Sequence, residues 1–162
     1  MATANKKNSD YDYSQLPSAK DMKIGIVVAD WNREITEGLY LGAMEALKTC
    51  GCTQVIRKDV PGSFELALGA QFLFEYVDID AVICLGSVIQ GETKHFNFIC
   101  EGTAFGIKDV ALKYNKAVIF GVLTDNNLQQ AIDRSGGKYG NKGTEAAITA
   151  IKMVALQKEL QY

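Results

Sequence analysis

The sequence predicts an α/β protein: a three-layer α/β/α sandwich around a four-stranded parallel sheet. Two observations carry this. Short apolar runs rich in β-branched residues occur at residues 24–29, 81–85 and 117–120, with a weaker one at 54–58. They read as strands covered on both faces, because a strand with one wet face would alternate polar and apolar side chains. Between the runs the apolar residues recur at helical spacing, and strand-helix alternation of this kind builds a parallel sheet with helices on both sides.

The elements follow in order. Residues 1–20 are polar, with Asn5, Lys6, Lys7, Asn8, Ser9 and Asp10 in succession, and are expected to form an arm. Residues 21–162 are expected to form one domain, without internal repeats. After the run Ile24-Gly25-Ile26-Val27-Val28-Ala29, the positions Ile35, Leu39, Ala43, Ala46 and Leu47 mark a helix that Gly51 stops. Gln54-Val55-Ile56-Arg57-Lys58 is the weaker strand. A turn at Pro61-Gly62 leads to a helix through Leu66, Ala70 and Phe74, with Ser63 as its expected N-cap. Ala81 to Leu85 is the third strand, and Phe96, Ile99, Thr103, Ile107, Val110 and Tyr114 mark a long amphipathic helix. Ala117 to Phe120 is the last strand. A short helix over 128–132, a Gly-rich loop over 136–143 and a final helix complete a flavodoxin-like sandwich.

Composition narrows the function classes. The formal net charge of −2 disfavours nucleic acid as a partner, since phosphate backbones attract strongly basic surfaces. Apolar residues make up 48% and charged residues 22%, ordinary for a globular domain. The four cysteines, Cys50, Cys52, Cys84 and Cys100, form no CxxC pair, so neither a metal site nor a redox site is expected. No signal peptide and no membrane-spanning run is visible, and a cytoplasmic setting is the expectation.

Ligands of open parallel sheets bind beyond the carboxyl ends of the strands. The segments there contain the only Trp and the only His of the chain. Trp31 offers a flat surface for a heteroaromatic ring, or its indole caps the core. Glu65 near a helix start accepts ligand hydroxyls, or is simply stabilised by the free N–H groups of that turn. Gly91-Glu92-Thr93 precedes the long helix, where backbone N–H groups suit a phosphate; an ordinary Gly turn with a Thr cap reads the same way. It is not a P-loop, because no GxxxxGK[ST] match exists in the chain. His95 can move protons near neutral pH, though a lone His is also a common surface residue. Arg134 and Lys142 flank a Gly-rich stretch; Arg can grip a phosphate through parallel N–H bonds, and charges there are also simply solvated.

Taken together these segments resemble the lumazine synthase family. The resemblance runs from about Lys23 to Gln157 and rests on four blocks: Trp31-Asn32; Val60-Pro61-Gly62-Ser63-Phe64-Glu65-Leu66; Gly86-Ser87-Val88-Ile89-Gln90-Gly91-Glu92-Thr93-Lys94-His95-Phe96; and Phe120-Gly121-Val122-Leu123-Thr124 with Asn141-Lys142-Gly143. It implies condensation of 5-amino-6-ribitylamino-uracil with 3,4-dihydroxy-2-butanone 4-phosphate, without a cofactor. By resemblance, Trp31 stacks on the pyrimidine, and Ser63, Phe64, Val88 and Ile89 line the ring and ribityl pocket. Asn32 and Glu65 bind the ribityl chain. Gly91, Glu92, Thr93 and Arg134 hold the phosphate, and His95 moves protons. Phe120 and Lys142 come from a neighbouring subunit. The resemblance also implies a homopentamer, which in some members closes twelvefold into a 60-subunit shell whose arms add a strand to a neighbour, with riboflavin synthase as a candidate partner. Gln90 is a departure, since many relatives carry Arg there. Two alternatives share the fold: an archaeal-type riboflavin synthase that dismutates the lumazine, and a non-catalytic cage that binds flavin-like rings. The second has no need of Thr93, His95 and Arg134 together.

Overall fold

The structure, a computed structural model, describes residues 11–161. Strands β1 (Lys23–Ala29), β2 (Gln54–Val60), β3 (Ala81–Ile89) and β4 (Ala117–Asp125) form one parallel sheet in the order β2-β1-β3-β4. Ile24 of β1 is in register with Val55 on one side and Ala81 on the other. The central strands β1 and β3 are the continuous apolar runs and are buried on both faces. Edge strand β2 is half exposed, which explains its weaker pattern.

The two faces carry separate cores. Ile24, Ile26, Val28, Ile83 and Leu85 pack against α1 (Arg33–Thr49) and α5 (Lys142–Leu160). Val27, Ala29, Val82 and Cys84 pack against α2 (Leu66–Tyr76) and α3 (His95–Tyr114). Gly51 ends α1 in a left-handed conformation, φ 86°, and the following N–H of Cys52 returns to Leu47 O at 2.9 Å. The α/β/α sandwich expected from the sequence is therefore the observed fold.

Local expectations are corrected in four places. Strand β3 runs on to Ile89 and β4 to Asp125, because Ser87, Val88 and Ile89 pair with Leu123, Thr124 and Asp125. Ser63 is not an N-cap: Ser63–Glu65 is a 3-10 turn, and α2 starts at Leu66 without a side-chain cap. The Ser63 side chain is instead buried, with its hydroxyl against the bare Cα of Gly86. The Gly-rich stretch is a small antiparallel hairpin, β5 (Ser135–Gly137) with β6 (Gly140–Asn141), following α4 (Leu128–Arg134). The arm expected over residues 1–20 lies outside the described residues up to residue 10. Residues 11–20 lie on the body: Tyr11, Tyr13 and Leu16 pack on the α1-side core and Ala19 is fully buried. Those apolar residues sit among polar neighbours, and composition averaged over the segment conceals them.

Helices α1 and α5 meet at close range where α5 begins. The Asn141 side chain caps α5 by accepting from Gly143 N at 2.8 Å, while its Nδ2 donates to Gly38 O at 2.8 Å. Thr144 Oγ1 donates to Gly42 O at 3.1 Å. A Cβ on Gly143 would sit 1.8 Å from Leu39 O, so only glycine lets the helices approach this closely.

Candidate active site

The order β2-β1-β3 makes the chain leave β1 in one direction and return beyond it in the other. Such a switch point opens a crevice at the strand ends. A cleft of about 480 Å³ lies there, within the size range of small-molecule sites. Trp31, Ser63, Phe64, Glu65, Val88, Ile89, Gly91, Thr93 and His95 line it, together with Pro61, Gly62, Ser87, Phe96 and Ile99.

Each wall has a local cause. Immediately after β1 the chain turns through Asn32, whose φ of 58° and ψ of 48° are left-handed, a conformation Asn tolerates better than most residues. Asn32 Nδ2 donates to Ser87 O at 2.9 Å and ties this turn to β3. Trp31 is left 73% exposed, so its indole does not cap the core; it forms one side of the cleft. The 3-10 turn Ser63–Glu65 forms another wall. Thr103 Oγ1 donates to Ser63 O at 3.1 Å in a buried contact, and the Phe64 ring lies where a Cβ on Gly102 would be, 2.7 Å from Cε2. The loop after β3 starts from the bond of Gln90 N to Asp125 O, 2.9 Å. It brings Gly91 and Thr93 to the start of α3, where Thr93 Oγ1 accepts from His95 N at 3.3 Å. Free N–H groups of a helix start, a hydroxyl and an imidazole thus share one end of the cleft.

Five expected site residues lie outside the lining. Asn32 is occupied with Ser87 O, and Glu92 lies between Gly91 and Thr93 with an exposed side chain. Phe120 is on edge strand β4, 39% exposed. Arg134 ends α4, and its Nη1 donates to Gln130 O at 3.0 Å. Lys142 begins α5 and pairs with Glu145 at 2.5 Å. Phe120 on β4, Arg134 at the end of α4 and Lys142 at the start of α5 are all outside the lining of this chain's own cleft.

Sequence reasoning missed Ile99 in the lining, and Gly102 and Thr103 behind it. A signal existed. Gly102 and Gly106 lie four residues apart inside a helix, where each glycine costs about 1 kcal/mol relative to alanine. Such a pair marks a close approach; at Gly106 a Cβ would come within 2.9 Å of Ala67 Cβ. The Cys84 thiol is fully buried, and burial pushes its pKa far up, so it takes no part as a nucleophile.

Known proteins place the chain in a family. The family model for 6,7-dimethyl-8-ribityllumazine synthase matches residues 21–158. The chain is similar to a 6,7-dimethyl-8-ribityllumazine synthase of Flavobacterium johnsoniae, with 58% identity over 98% of this chain and 85% of that protein. It is similar to one of Cytophaga hutchinsonii at 57% identity, covering 96% and 98%, and to one of Parabacteroides distasonis at 51%, covering 95% and 98%. With the fold, the cleft at the switch point and these matches in agreement, the chain belongs to the 6,7-dimethyl-8-ribityllumazine synthase family.

Proposed function

We propose that this cleft condenses 5-amino-6-ribitylamino-uracil with 3,4-dihydroxy-2-butanone 4-phosphate to 6,7-dimethyl-8-ribityllumazine, phosphate and water. The observation that carries the reading is one cleft holding an exposed indole, the Glu65 carboxylate, and a helix start with Thr93 and His95. The indole suits the pyrimidine face. Glu65 suits the ribityl hydroxyls, and the loop Gly91-Glu92-Thr93 suits the phosphate. In the reaction the 5-amino group attacks the ketone and water leaves to give an imine. Phosphate is then eliminated, and the ribitylamino nitrogen closes the ring with loss of a second water. His95 relays protons at these steps. Phosphate is a good leaving group and both amines are nucleophiles, so holding the two substrates together supplies much of the acceleration. A direct assay supplies both substrates and follows absorbance and phosphate release. Lumazine formation supports the reading. Activity on lumazine alone would point to the riboflavin synthase alternative, and ligand binding without turnover to the cage.

We further propose that Phe120, Arg134 and Lys142 complete the cleft of an adjacent subunit. All three lie outside the lining of their own cleft, and the molecule has apolar flanks on which to associate. Phe98, Phe105 and Leu112 follow each other at seven-residue spacing along α3, all exposed, and Leu68, Phe72 and Tyr76 follow at four-residue spacing along α2, also exposed. Contiguous exposed apolar stripes of this kind mark interfaces. The expected assembly is a pentamer, with a twelve-pentamer shell as the larger form; light scattering separates them, and copurification tests whether riboflavin synthase is bound. Co-expression tests the shared site. His95→Ala and Arg134→Ala subunits, each slow alone, should regain activity in mixed oligomers, because some clefts then combine two intact halves. Mixed oligomers no faster than the two parents would show that each subunit works alone.

A further inference from the structure

Arg134 is held on three sides. Besides the bond to Gln130 O, its guanidinium lies 5.1 Å from the centre of the Tyr139 ring. Its Nε is 3.9 Å from Asp125 Oδ1. Tyr139 is itself fixed, since its N–H donates to Asp133 O at 2.7 Å. The Asp125 side chain is only 7% exposed, and its Oδ2 has no hydrogen-bond partner among the described residues.

This is a poor pair for stability alone. At 3.9 Å the contact is too long for a good hydrogen bond, and burying a carboxylate with one oxygen unpartnered costs more than such a contact returns. Burial pushes the Asp125 carboxyl above its ordinary pKa, with the charge of Arg134 opposing that rise. A charge at this place is expensive, and the guanidinium of Arg134 beside it is what supports it.

We propose that Asp125 is the counter-charge of Arg134, limiting how tightly the arginine grips phosphate, and that Tyr139 is the platform keeping the guanidinium aimed. The inference rests on the reading of Arg134 as the phosphate ligand. Its logic is turnover. Phosphate leaves the carbon skeleton within the reaction and must then leave the protein. An uncompensated arginine would hold the dianion; a carboxylate beside the guanidinium shares its charge and repels the anion. The face of Tyr139 restricts the guanidinium without taking up its N–H donors. Asp125 and Tyr139 are thus positioning residues with opposite effects on the anion.

The test uses the assembled enzyme and orthophosphate as a competitive inhibitor against the phosphorylated ketone. Asp125→Asn should lower the inhibition constant about fivefold, and with it the KM for the ketone, while the KM for the pyrimidine stays constant. Asp125→Ser removes the same charge with a smaller side chain and should act alike, which covers a folding failure of the first variant. Tyr139→Leu should raise the inhibition constant about fivefold, and Tyr139→Phe, which keeps the ring, should restore it. A purely structural role would move both KM values together. If Arg134→Ala weakens phosphate inhibition but neither Asp125 variant strengthens it, the counter-charge is wrong and the phosphate reading stands. If Arg134→Ala leaves inhibition unchanged, the phosphate reading fails and this inference fails with it.

Discussion

Arg134→Ala raises the KM for 3,4-dihydroxy-2-butanone 4-phosphate by about ten- to a hundredfold and leaves the KM for the pyrimidine nearly constant. The range follows from losing hydrogen bonds between charged partners, about 1.5–3 kcal/mol. Neither the backbone N–H groups of the Gly91-Glu92-Thr93 loop nor the Thr93 hydroxyl carries a full positive charge, so they cannot replace the guanidinium. Gln90 does not supply one either. His95→Ala should act on the other parameter: kcat falls about a hundredfold, the low end for lost general acid–base help, and neither KM changes much. The contrast is the point of measurement. Steady-state kinetics with each substrate varied in turn separates binding from proton transfer. Unchanged kcat and KM in both variants would remove Arg134 and His95 from the reaction.

Gly143→Val destroys the domain rather than the chemistry. The nearest obstacle to a Cβ at this position is the Leu39 carbonyl oxygen at 1.8 Å, followed by its carbon at 2.6 Å. Both are helix backbone and neither can rotate away. Helices α1 and α5 would have to separate, breaking the Asn141 and Thr144 bonds across the same contact and opening the core around Leu39 and Ala147. A cost of about 4 kcal/mol or more is expected, as for overpacking combined with lost buried bonds. For a domain of this size that lowers the thermal midpoint by roughly 10 °C, or the protein is recovered only as aggregate. Gly91→Ala is the control for stability: no atom lies within 4 Å of its Cβ and its φ is unremarkable, so the midpoint should barely move. Equal midpoints for the two variants would mean that the helix contact is not what holds α5 in place.

That glycine shows where sequence reading stops. In the sequence the Asn141-Lys142-Gly143 block is a family marker, and its charge is the feature that suggests a ligand. Two of its three residues serve the junction of α1 and α5, through a cap and a missing side chain. Nothing local in the sequence says that residue 143 meets residue 39. The four strands were legible because β1 and β3 are apolar without interruption, and the helices because their period is regular. The ends of β3 and β4 were not, since their last residues include Ser87, Thr124 and Asp125, which look like loop residues until they pair. Trp31 was open between core and ligand; only its exposure decides. The grouping of Trp31, Glu65, Thr93 and His95 followed from placing ligands at strand ends. The separation of Phe120, Arg134 and Lys142 from that group follows from the three-dimensional paths of β4, α4 and α5, which no spacing rule encodes.

Helix α3 carries His95 and Ile99 in its first two turns and the exposed Phe98, Phe105 and Leu112 along its flank. One rod therefore reports on two events. Diluting the enzyme until the flank is bare should cost specific activity per chain in step with loss of the assembled species, and reconcentration should return both, as mass action requires. Catalysis in this molecule would then double as a gauge of its own concentration.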